Sequence, residues 1–143
     1  MRARGVGTVL LAGAAYVLVG TGTATLAGLA SSAAAVKGWR LAAWLLSLAV
    51  FALHFALERH RRARRLRVAA RVALAVAVGA LGVAALGPIR THWGEPSRPK
   101  LVVLSLVAWP ILTGVPAFVV ALLAGLLLDR AGAGTKESHS RVA

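Results

Sequence analysis

Four long apolar runs divide the chain, at about residues 6–30, 39–57, 70–88 and 101–128, and the charged side chains gather between and beyond them. Crossing ~30 Å of hydrocarbon takes ~20 helical residues at 1.5 Å rise, and each run reaches or nearly reaches that length. Backbone groups facing lipid must pair within their own segment. The runs also lack the period-two polar alternation of a membrane strand, so the pattern predicts helices. The expected fold class is all-α, a polytopic membrane bundle with four transmembrane helices in one domain over 1–130. A Gly- and Ser-containing tail over 131–143 is expected to be disordered.

The polar interruptions predict orientation. Between the second and third runs, residues 58–71 hold Arg59, Arg61, Arg62, Arg64, Arg65, Arg67 and Arg71. A block this dense is costly to translocate, which makes it a cytoplasmic loop and places both termini inside. That N-in, C-in arrangement leaves twelve Lys and Arg inside and five outside. The Ala-, Gly- and Arg-rich composition points to a GC-rich bacterial source and so to the inner membrane.

Net charge of +13 in a soluble chain would suggest nucleic acid. Here, with 59% hydrophobic residues and a mean hydropathy of +0.78, the excess is assigned to a bilayer with anionic headgroups and not to nucleic acid. The seven arginines are the expected headgroup contacts. Residues 1–35 also admit a signal-peptide reading, with Met-Arg-Ala-Arg, an apolar stretch and Ala33-Ala34-Ala35. The uncharged stretch from Gly5 to Val36 can fill a bilayer by itself, which favours a retained first span.

Candidate chemistry is sparse. His54 and Glu58 stand one helical turn apart at the end of the second run, where an ionisable pair is a candidate intramembrane site for proton transfer or metal binding. The competing role for Glu58 is neutralisation of neighbouring arginines. In the fourth run Pro110, Thr113 and Pro116 mark an expected kink or short unwound stretch near 108–113, of the kind that lines ion and substrate paths in transporters. His92 and Glu95, in the Pro- and Gly-rich 87–100 segment beside Trp93, form a weaker pair. Small residues at four-residue spacing, Gly20, Ala24 and Gly28 in the first run and Ala117, Ala121 and Gly125 in the fourth, are candidates for close helix packing or a homo-oligomer ridge.

No cysteine is present, so thiolate sites and disulfides are excluded, and no nucleophile-elbow, zinc-protease or phosphate-loop motif occurs. No catalytic residue, metal site or cofactor is assigned. Glu58-Arg59-His60-Arg61-Arg62-Ala63 resembles the Glu-Arg-x-x-Arg-Ala opening of a motif in the membrane-associated glutathione-metabolism enzymes. The likeness ends after six residues, with Arg64 and Leu66 where that family has His and Asn, so no function is carried across. The expected function is that of a non-catalytic subunit or interaction and assembly component with a membrane-protein partner. A small oligomeric channel or transporter using the fourth helix is the alternative, and a membrane-embedded enzyme is third.

Overall fold

Peptide groups that must satisfy one another within lipid leave this chain a single solution, and it forms four helices: α1 (Ala3–Gly28), α2 (Ala33–His60), α3 (Arg65–Thr91) and α4 (Pro99–Ser140). The computed structural model describes the backbone of residues 3–61, 64–91 and 99–140, and the side chains of 5–61, 64–86 and 103–131. Each helix contains a segment long and apolar enough to cross a membrane: Gly5–Gly28, Ala33–His60, Arg65–Leu86 and Val103–Ala131. Many large apolar side chains lie exposed on the outside, among them Leu11, Leu18, Leu48, Leu112 and Leu127. Lipid tails solvate such a surface, whereas water would not.

Several boundaries differ from the sequence expectation: α2 runs on to His60 and α3 begins at Arg65, inside the arginine block, and two further differences have local causes. α2 begins at Ala33, six residues before the apolar run, because Ser32 caps it. The Ser32 backbone is extended (φ −132°, ψ 149°), and its hydroxyl accepts the Ala35 N–H at 3.2 Å. The Ala-rich start then propagates, so Lys37 and Arg40 ride on the helix rather than in a loop. α4 remains helical through Pro110 and Pro116 and on to Ser140. The short unwound stretch near 108–113 is therefore corrected to helix. Proline removes one N–H from the ladder yet has a helical φ, and lengthening an existing helix carries no nucleation cost. The Thr113 hydroxyl bonds back to the Trp109 carbonyl at 2.8 Å, beside the first proline.

α3 is the central helix, packed chiefly against α4 and α1, while α2 lies mainly on α1. Small residues bring α1 and α3 together. A Cβ built on Gly79 or Gly82 would overlap Tyr16 or Val17, and one on Gly13 or Gly20 would come within 2.8 Å of Val78 or Val83. Close backbone approach of this kind is how helices gain van der Waals contact where lipid removes the hydrophobic drive. On α4, Gly114 sits over Ala77 of α3. The buried apolar residues lie toward the arginine end: Phe55, Val68, Ala69, Val72 and Ala121 in one cluster, and Val9, Ala12 and Ala75 in a second, capped by Tyr16.

Candidate functional site

At the arginine end the helical period turns Glu58 inward, into the junction of α1, α2 and α3, where it is 0% exposed. Its Oε1 accepts from the Thr8 hydroxyl at 2.9 Å and from Arg61 Nη1 at 3.2 Å, and its Oε2 accepts from Arg71 Nη1 at 2.6 Å. The Arg71 guanidinium packs against Gly5. A Cβ there would stand 2.9 Å from Arg71 Nη2. One carboxylate thus ties three helices through charge-assisted bonds. The carboxylate is fully buried while Arg61 and Arg71 stay partly exposed, so the pair depends on these bonds to offset desolvation of the acid.

His54, one turn back on α2, shares this inward face and is 4% exposed, with Nε2 lacking any hydrogen-bond partner. His54 and Glu58 are therefore both buried on one face of α2, but Arg61, Arg71 and Thr8 occupy the carboxylate. Among the described residues no group of three or more His, Cys, Asp or Glu is placed to hold a metal ion. His92 and Glu95 lie outside the described residues.

A second ionic knot joins α2, α3 and α4. Arg59 Nη2 meets Asp129 Oδ1 at 2.7 Å, Arg59 Nη1 donates to the Gly125 carbonyl at 3.3 Å, and Arg65 Nε meets Asp129 Oδ2. Four of the seven expected headgroup arginines, Arg59, Arg61, Arg65 and Arg71, are thus committed to carboxylates within the bundle. Arg64 and Arg67 are exposed and enter no ion pair among the described residues, and Arg62 lies outside those residues. Neither Asp129 nor Thr8 stands out in the sequence pattern. The available signal for Asp129 was an acid ending an apolar run on the same side of the bundle as the arginine block.

The opposite half is built differently. There α2 and α4 stand apart over α3 and leave a cleft of about 830 Å³ to which all four helices contribute. Gly79, Ala80 and Ala84 of α3 form part of its lining, together with Tyr16 and Gly20 of α1, and Trp44 of α2 stands in its wall while 78% exposed. Ser47, Ser105, Thr113 and Pro116 converge on it, whereas Pro110 does not line it. The Tyr16 hydroxyl is buried without a hydrogen-bond partner. The hydroxyls of Thr21, Thr23 and Thr25 are turned to the carbonyls of Val17, Val19 and Thr21 on their own helix.

The predicted packing ladders divide in the same way. Gly20 meets α3, but Ala24 and Gly28 are exposed, and nothing lies within 4 Å of a Cβ on Gly28. Ala121 and Gly125 are buried on α4, with Ala117 half-buried. No protein-family model matches this chain, and no curated protein or solved structure is significantly similar to it, so its function is read from its own residues.

Proposed function

We propose that the protein is a non-catalytic interaction component of a bacterial inner membrane, a subunit or assembly factor that receives a transmembrane helix of a partner protein in the cleft between α2 and α4. The observation that carries this reading is the asymmetry of the bundle. One half is closed by two ionic knots and an apolar core, and the other presents a lined, laterally open recess. Recess lining with Ala80 and Ala84 lets a second backbone approach closely, the condition for helix association in lipid. Trp44 supplies a large, rigid contact surface at the opening. Glu58 and the arginines around it serve as internal ties and not as reacting groups.

In this reading the arginine hairpin is cytoplasmic and both termini are inside, by the positive-inside bias, and Arg64 and Arg67 rest on anionic headgroups. Because the chain has no cysteine, a single Leu66→Cys variant reports sidedness cleanly. It should react with a membrane-impermeant maleimide in inverted vesicles and not in intact spheroplasts.

A photo-crosslinking residue at Trp44 should yield a defined heterologous adduct in native membranes, and the adduct should disappear when Ala80→Leu fills the recess. The same crosslinker at Leu11, on the lipid-facing side of α1, should yield none. Equal adducts at both positions would falsify the docking role of the cleft. The convergence of Ser47, Ser105, Thr113 and Pro116 supports a second reading, a small transporter. It requires proteoliposome flux that falls on Thr113→Val or Pro116→Ala.

A further inference from the structure

Where the arginine end meets α4, the helices leave a crevice of about 250 Å³ between α2, α3 and α4, and its lining changes character with depth. Phe55, Val68 and Ala121, all buried, form an apolar inner wall. Arg59, Arg65 and Asp129 form the rim. Phe55 precedes Arg59 by one turn on α2, so the apolar wall lies about 6 Å further into the span than the rim. Gly125, on the same surface, is buried, yet a Cβ built on it meets nothing within 4 Å, so open space lies directly against the α4 backbone.

One acid orients both rim guanidiniums. Asp129 takes Nη2 of Arg59 and Nε of Arg65, one on each oxygen, and the Gly125 carbonyl takes Nη1 of Arg59. A guanidinium carries five N–H donors in a planar fork, so among the described residues Arg65 keeps both Nη groups unpaired, and its side chain is 54% exposed. One carboxylate therefore orients two guanidiniums without cancelling them. The lining keeps one excess positive charge, and the exposed Arg64 and Arg67 add to the local field.

We infer that this crevice is a discrete phosphate site, occupied by the headgroup of one anionic phospholipid. The phosphate lies on the free donors of Arg65 and Arg59, and the glycerol and first acyl carbons lie against Phe55, Val68 and Ala121. The gradient from guanidinium rim to apolar wall over about one helical turn is the gradient a phospholipid presents at the membrane surface. A free phosphate ion would use only the rim. This site is separate from the helix-receiving cleft and stands or falls independently of it.

The test titrates the full chain, in neutral detergent, with phosphatidylglycerol, phosphatidylcholine or inorganic phosphate, and counts bound molecules by native mass spectrometry. One phosphatidylglycerol per chain should be retained in preference to phosphatidylcholine. Arg65→Gln should weaken retention about tenfold through loss of charge-assisted donors. Gly125→Leu, which leaves every charge in place and fills the crevice, should weaken it comparably, and Arg67→Gln should change it by less than about twofold. Should Gly125→Leu fail to fold, Gly125→Ala adds one methyl group into clear space and should still weaken retention measurably. Equal weakening by Arg67→Gln, or indifference to filling at Gly125, would reduce the site to diffuse attraction and overturn it. Displacement of the lipid by equimolar inorganic phosphate would overturn the lipid assignment in favour of a free anion.

Discussion

The arginine end and the cleft end of this bundle are made from the same four helices and differ in what holds those helices together. At the arginine end, Glu58 and Asp129 each collect guanidiniums from neighbouring helices over a buried apolar core. At the cleft end, α1 and α3 stay in contact through Gly13, Gly20, Gly79 and Gly82, while α2 and α4 stand apart. Small residues hold one helix pair by shape alone, and shape holds only the faces that meet. Charge-assisted bonds reach across a junction and draw in a third helix. The lesson is that the ion pairs gather at the end of the bundle that carries the arginine block, whereas small-residue contacts hold the other half and leave a cleft there.

That contrast can be broken most severely at Glu58. Glu58→Ala removes a fully buried carboxylate from Thr8 and Arg71, and because the Arg71 side chain is about a third exposed and can be partly solvated, stability should fall by about 2–3 kcal/mol. It should appear as a large loss of folded, detergent-extractable protein in a thermal-shift assay. An Ala80→Leu control, placed in the cleft, should fold normally. Glu58→Ala without any loss would mean that the carboxylate does not tie the helices.

Next in size is Gly79→Val, which drives a side chain into Tyr16. It should cost about 1–3 kcal/mol by overpacking, and a paired Tyr16→Ala change should recover part of it, as read by double-mutant analysis of unfolding in mixed micelles.

Asp129→Asn comes third. Arg59 and Asp129 are each about a third exposed in their side chains, so solvent screening limits the loss to about 1 kcal/mol or less, and it should shrink further at high salt. A loss as large as that of Glu58→Ala would erase the distinction between the buried and the half-exposed knot.

The smallest effect belongs to the cleft hydroxyls. Thr113→Val and Ser47→Ala should each shift stability by less than about 0.5 kcal/mol, because their removal leaves a surface already open to lipid. A substantial destabilisation there would show that the cleft is packed shut in the membrane.

Apolar run length and the absence of strand periodicity were enough to establish helices, their number, their order and the tight turn at the arginines, because all of these are properties of one segment in one solvent. Even the extra turn and a half of α2 was readable in Ser32 followed by Ala33-Ala34-Ala35. Those features stop at the edge of each helix. Which arginine finds Glu58 and which finds Asp129, the opening of a recess over Gly79 and Ala80, and the exposure of Ala24 and Gly28 all depend on how far each helix is rotated and slid against its neighbours. The contacts of Gly79 and Gly82 with Tyr16 and Val17 set that rotation for α1 and α3, and a contact between residues some sixty positions apart leaves no local periodicity in the sequence. Only the tertiary structure therefore decided that four of the seven arginines, though partly exposed, reach two acids that tie the helices together.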